Sequence, residues 1–425
     1  MIVERPSRLL AWVVAYQASC PVLINVINSY ISDGDSASIT AGVSLLVVLL
    51  LALVAVTRGI SLPRQASFAT FAIMSAAFWV HYFVLSLLYP SLTGLAMMEN
   101  LPVYALLWIA APLALLLITR QAIDTRQVFS AMLVVMAAYL ALLLIRFVLG
   151  LGRYHSGRWS PGEALDPIRV GRYASLAVLI YLAALIGKQT GRRDRLIALI
   201  GMGPALFLTV VANARGPWLA LILTVVVVAP ALLRVFARQL REDVRVLATS
   251  LVVAGVAAIG VGIALSKGES NFSRLFDPSQ DGGSVAGRVE LLEDYFKLFA
   301  MQPDGLLSGY GYNHALCYPH NIEVEILSVG GVPLLLLFLA IIGLVMVRGL
   351  REAWRGDGLS IVFLGLFIHG MIGVQTAGSV AHEMMPWFAG ALVLIRNEEL
   401  AHESPPNSGA GADVAASIVD KHARH

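Results

Sequence analysis

The chain is 425 residues long, 58% hydrophobic and only 13% charged, with a mean hydropathy of +0.77. Those values exclude a water-soluble globular domain, and a net charge of +3 on so apolar a chain gives no reason to expect a nucleic-acid partner. Two cysteines, Cys20 and Cys317, fit neither a disulfide framework nor a metal-ligand spacing.

About twenty apolar residues cross the hydrocarbon core as a helix, and lipid offers no partner to unpaired backbone. The sequence therefore predicts an all-α polytopic membrane protein with about twelve transmembrane helices. In chain order the stretches are roughly 9–30, 39–57, 67–89, 103–119, 128–150, 173–188, 196–213, 218–236, 246–266, 321–347, 360–375 and 384–396. The first is longer than a signal-peptide core and has no small-residue cleavage site, so it reads as a retained span. The predicted organisation is 1–266 as nine helices with short loops, 267–320 as one large outer loop and 321–399 as three more helices. Residues 400–425, with Ser404-Pro-Pro-Asn-Ser-Gly, are too polar and too rich in Gly and Pro to bury a core, which predicts a disordered tail.

Cationic flanks stay on the cytoplasmic side. With the N-terminus inside, alternate connections collect twenty of the thirty Lys and Arg residues, while the short segments 90–102 and 376–383 and the loop Ser32-Asp33-Gly-Asp35-Ser have none. Both termini are thus expected in the cytoplasm, with the loops 151–172 and 267–320 outside. The ten cations that defy the bias are Arg146, Arg153, Arg158, Arg169, Arg172, Arg215, Lys267, Arg274, Arg288 and Lys297. So much positive charge on an outer face suits an anionic substrate, although long loops also carry ordinary surface charge. Arg146 and Arg215 are placed at or within membrane depth, where a lone guanidinium costs at least about 2.5 kcal/mol.

Two outer segments hold the chemistry. Segment 151–172 mixes arginines with Tyr154, His155 and Trp159. Guanidinium forks match phosphate oxygens and aromatic faces stack on sugars, but Trp159 equally fits the interfacial belt, and Arg169 and Arg172 equally pair with Asp166 or Glu163. In segment 267–320, residues 286–300 show helical spacing of Val289, Leu292, Phe296 and Phe299, which predicts an amphipathic helix at the interface. Gly309 and Gly311 flank a tight turn able to approach a ligand or another segment closely.

The same loop ends in Tyr318-Pro-His320-Asn321, at the mouth of the tenth span. Imidazole titrates near neutral pH, so His320 is the candidate acid–base group, with His314 as rival and Tyr312 beside it. His320 or Asn321 should cap the span, whose N-terminal end favours anions, and Glu323 stands where it would either orient the imidazole or serve as a first-turn carboxylate.

In this order the motifs resemble those of the O-antigen ligase and polymerase superfamily of bacterial envelope glycosyltransferases. Ala214-Arg215-Gly216 resembles that family's Ser-Arg-Gly turn between two spans, with Ala214 in place of Ser. Arg288, an aromatic-rich helix and Leu306-Leu-Ser-Gly309-Tyr-Gly311 resemble its stretch from an Arg to Gly-x-Gly. His320-Asn321, nine residues and Gly331 resemble its ligase pattern, from whose end Leu334 departs.

The resemblance covers about 205–340 in detail and implies an all-helical, GT-C-like fold at the bacterial inner membrane. It implies transfer of O-antigen polysaccharide from undecaprenyl pyrophosphate to a sugar hydroxyl of lipid A-core at the periplasmic face. Arg215 and Arg288 would bind the pyrophosphate, with Arg146, Arg153, Arg158, Arg169 and Arg172 as further candidates, and His320 would be the general base. Asn321, Glu323, His314 and Tyr312 would support it. Because pyrophosphate is already an activated leaving group, the expected reaction is inverting and needs neither metal nor cofactor.

A metal-dependent version would use Asp33-Gly-Asp35, a DxD arrangement in an outer loop where solvated acids are expected in any case. A polymerase or a protein O-oligosaccharyltransferase would use the same donor with another acceptor. A twelve-helix transporter is the alternative of another class, although no matched pair of Gly/Pro-broken spans marks two halves.

Overall fold

A computed structural model of the chain describes residues 8–19, 23, 26–27, 36–58, 65–88, 106–155, 158–161, 166–187, 190–242, 284–310, 321–377 and 383–403. The elements in chain order are α1 (Arg8–Ser19), α2 (Ser36–Arg58), α3 (Ala66–Leu88), α4 (Ala111–Ile118), α5 (Thr125–Val148), strands β1 (Arg153–His155) and β2 (Arg158–Ser160), and α6 (Pro167–Ile186). There follow α7 (Arg192–Ala212), α8 (Arg215–Glu242), α9 (Ser284–Met301), α10 (Asp304–Ser308), α11 (Ile322–Arg355), α12 (Gly358–Ala377) and α13 (Met385–Glu403).

Seven described helices are long and apolar enough to cross a membrane, among them α3, α5, α6, α7, α8, α11 and α12. Many of their large side chains, such as Ile73, Val80, Ile200, Val226 and Leu336, point outward, as a hydrocarbon solvent permits and water does not. The chain is a helical, multi-pass membrane protein. Eleven of the twelve expected stretches carry described helix, and 246–266 lies outside the described residues together with Asp33, Asp35, Lys267, Arg274 and the tail beyond 403.

Helix boundaries follow from local chemistry. Asp124 caps α5 by accepting from Arg126 N at 2.9 Å, and Asp166 caps α6 by accepting from Arg169 N at 2.8 Å, with Pro167 in the first helical position where its missing N–H is harmless. Helix α6 lies centrally, against α7, α8 and α12, and is largely buried. Gly201 lets α7 approach α6, since a Cβ there would stand 2.5 Å from the ring of Tyr181.

Among the described residues, the departure from an all-helical chain is the hairpin β1–β2, with Tyr154 opposite Trp159 and His155 opposite Arg158. Trp159 is 1% exposed, packed edge-to-face on Phe147 at 5.4 Å and seated over Gly152. Such an indole is a packing anchor for the hairpin, which corrects both the interfacial-belt and the sugar-stacking readings.

The two ends of the bundle differ. At the end holding the start of α5, the end of α13 and the α11–α12 turn, buried Arg396 grips Asp357 with two hydrogen bonds of 2.8 and 3.1 Å and also reaches Glu399 at 2.9 Å. Arg120 pairs there with Glu398 at 2.7 Å. The other end carries Arg215, the hairpin and the α9–α10 unit.

Candidate functional site

Helices α7 and α8 are joined by Asn213 and Ala214 alone. Such a reversal needs a left-handed residue, and Asn213 takes it at φ 44°, the one non-glycine residue with positive φ among those described. The turn delivers Arg215 as the first residue of α8, half-buried, where helix N–H groups and the macrodipole add to its charge. Arg215 thus stands at a helix end. Arg146 likewise sits in the last turn of α5, its Nε donating to the Leu151 carbonyl at 3.2 Å.

The start of α6 packs tightly on this turn. A Cβ on Gly171 would be 3.0 Å from Pro217 and 3.2 Å from Ala212. The next residue, Arg172, is buried and donates to the Glu383 carboxylate and to the Gly373 carbonyl at 2.8 Å. With its charge matched and both terminal nitrogens hydrogen-bonded, Arg172 fastens α6 to the ends of α12 and α13 instead of reaching for a ligand. Its ion-pair partner is Glu383 and not Asp166, and Glu163 lies outside the described residues. Asp166 does pair with Arg169, at 3.5 Å and exposed, where such a bridge contributes little.

Two residues beyond Gly373, Gln375 bridges α12 to α11. Its carbonyl oxygen accepts from Asn321 Nδ2 at 3.2 Å, and its Nε2 donates to the Glu323 carboxylate. Asn321 is the cap of α11, accepting from Val324 N at 2.9 Å. The sequence motifs around Arg215 and around Asn321, about a hundred positions apart, therefore meet at one end of the bundle through Gly171, Arg172, Gly373 and Gln375. Glu323 is held by Gln375. His320, His314 and Tyr312 lie outside the described residues.

The third motif is pinned to the same helix. Gly331 breaks α11 at φ 68° and ψ −170°, and Pro333 offers no N–H to the Val329 carbonyl. Carbonyls freed by that break face the α10 turn, and Ser328 O accepts from Tyr310 N at 2.7 Å. The approach tolerates glycine only. A Cβ on Gly309 would fall 2.2 Å from Val329 O, and one on Gly331 would fall 2.7 Å from Leu306 O and 2.8 Å from Gly309 N. The freedom expected of Gly309 is thus used for a backbone-to-backbone clasp.

That clasp orients α9. Tyr295, Phe299, Tyr310 and Val324 form a small apolar cluster with Leu291, Leu292, Leu298 and Leu306 around it. The buried face of α9 is centred on Tyr295, so Val289 and Phe296, expected in the same stripe, are exposed. Arg288 precedes Leu292 by four residues and Tyr295 by seven, so it extends the buried face at the N-terminal end of α9. Arg153 and Arg158 stand on opposite strands of the hairpin, Arg153 exposed and Arg158 half-buried.

Gln375, Glu383 and Gly373 were missed by sequence reasoning. A lone amide near the end of an apolar span and a lone carboxylate in a short turn were the available signals, but only contact shows what they hold. Among the described residues no three His, Cys, Asp or Glu side chains stand together as metal ligands.

These features define a helical membrane protein with a guanidinium-bearing polar end. Comparison of the chain with known protein families and with curated protein sequences finds no match.

Proposed function

We propose that the chain is an O-antigen ligase, a glycosyltransferase of lipopolysaccharide assembly. It would move polysaccharide from undecaprenyl pyrophosphate to a sugar hydroxyl of lipid A-core. In this reading the fold is GT-C-like with twelve spans in the bacterial inner membrane, both termini are cytoplasmic, and the end bearing Arg215 faces the periplasm. One observation carries the reading: the Arg215 turn, the α9–α10 unit of Arg288 and the cap residue Asn321 belong to one end of the bundle, linked by Arg172, Gln375 and the Gly309–Gly331 clasp.

Arg215 and Arg288 hold the pyrophosphate and stabilise the negative charge that grows on it as the anomeric C–O bond breaks. His320, adjacent in sequence to Asn321, takes the proton of the attacking hydroxyl while the new C–O bond forms from the opposite face, which inverts the anomeric carbon. Arg146, Arg153 and Arg158 add positive charge along the donor's path, whereas Arg172 and Gln375 position the helices. The exposed Phe296, Met301 and Leu307 of the α9–α10 unit suit a face that lies against lipid.

The test is a ligation assay on purified protein supplied with undecaprenyl-pyrophosphate glycan and, in separate arms, lipid A-core, growing polymer or a protein acceptor. Label entering lipid A-core is expected, with His320→Ala inactive and Arg215→Lys strongly impaired, since lysine keeps the charge but loses the bidentate fork. Label entering polymer or protein instead would reassign the acceptor. Near-wild-type turnover by His320→Ala would remove it as base, and loss of activity in EDTA would return attention to Asp33 and Asp35.

A further inference from the structure

At the end of the bundle opposite Arg215, helices α1, α5 and α7 enclose a cleft of about 400 Å³. Its polar lining is Arg8 at the start of α1, Gln127 and Ser130 in the first turns of α5, and Arg193 at the start of α7. Ser130 is bound to Asp194 at 2.9 Å, while no described residue forms an ion pair with Arg8 or Arg193.

Below this ring of polar groups the surface turns apolar along the same helix faces. Trp12, one turn beyond Arg8, is 45% exposed, and on α7 Leu196 and Ile200, three and seven residues beyond Arg193, are 56% and 67% exposed. Two guanidiniums above outward apolar side chains, at the rim of the bundle, match a molecule with an anionic head and hydrocarbon tails.

We propose that this cleft is a binding site for the phosphate headgroup of an anionic phospholipid, with Arg8 and Arg193 on the phosphate, Gln127 on the neighbouring oxygens, and the acyl chains along Trp12, Leu196 and Ile200. A free phosphate ion would use the same two arginines but would make no use of the exposed apolar lane. The proposal concerns the end of the molecule remote from Arg215 and stands whether or not the chain transfers glycans.

The test is native mass spectrometry of the full-length protein in detergent, titrated with phosphatidylglycerol, phosphatidylcholine or inorganic phosphate. A doubly substituted Arg8→Gln/Arg193→Gln protein is compared with Arg348→Gln/Arg351→Gln, which removes the same charge from another part of the chain. At about 1 kcal/mol per arginine near a lipid surface, loss of both should weaken phosphatidylglycerol retention about thirty-fold. The control pair should stay within about two-fold, a margin under 0.5 kcal/mol by the same conversion. Arg193→Lys, which keeps the charge, should retain most of the affinity. Equal weakening in both double variants, or equal retention of phosphatidylcholine by the native protein, would overturn the site. Stabilisation by inorganic phosphate without any retained lipid would overturn the lipid assignment.

Discussion

Replacing Gly331 by Ala tests the clasp that joins the α10 turn to the kinked α11. At φ 68° and ψ −170° Gly331 occupies a region essentially closed to residues with a Cβ, where strain runs to about 1–3 kcal/mol. The new methyl would also stand 2.7 Å from Leu306 O and 2.8 Å from Gly309 N, both backbone atoms with no rotamer to yield, which adds about 1–3 kcal/mol of overpacking. The expected loss is therefore about 2–6 kcal/mol on these two accounts. Gly343 lies in the same helix with open space around its Cβ position, so Gly343→Ala should be neutral or stabilising by up to about 1 kcal/mol. Thermal unfolding in detergent reads the difference as a fall of about 2–7 °C for Gly331→Ala alone. Hydrogen exchange reads it locally, because Tyr310 N is protected by Ser328 O and should exchange faster in that variant. A Gly331→Ala protein that melts and exchanges like the wild type would show that the clasp is not what holds α10 to α11.

Arg172→Met should destabilise the protein by about 3–5 kcal/mol, because it strands the Glu383 carboxylate, and adding Glu383→Gln should restore much of the loss in the same melting assay. Trp159→Ala should cost about 3–5 kcal/mol by leaving a cavity beside Phe147, while the KM of the folded fraction for the proposed lipid-linked donor stays unchanged, and a selective rise in that KM would restore a ligand-stacking role. Asp357 tests the opposite end. Burial alone would raise its carboxyl, but the hydrogen bonds and charge of Arg396, together with the two hydrogen bonds from Ser360, outweigh burial and hold it below the usual carboxylate range. A depressed folded-state value contributes stability that is fully present above the unfolded value near pH ~3.9 and is lost as pH falls through the folded value. Asp357→Asn should therefore melt lower than wild type at pH 7, with the gap closing below about pH 4, and a gap independent of pH would refute the pairing.

The apolar stretches by themselves determined that this protein is a helical bundle in lipid, because a bilayer forces backbone to pair within each segment and so writes helix length into composition. Sequence also located the turn at Arg215, the cap to within His320 or Asn321 and the helix around 286–300, all of which depend on contacts between near neighbours along the chain. It erred where burial decides. Trp159 and Arg172 were legible as an aromatic and a cation near a membrane boundary, and only packing reveals that one is sealed under a hairpin and the other neutralised by Glu383. The stripe of α9 was read from period alone, which fixes a helix but not the rotation at which it docks; the cluster of Tyr295, Phe299 and Tyr310 sets that angle. What tertiary structure alone decided is the convergence of Gly309 with Gly331, and of Arg172 with Glu383 and Gln375 with Asn321. Such pairs are separated by tens to hundreds of residues, and their contact depends on the closed shape of the whole bundle, a property that no local pattern of side chains carries.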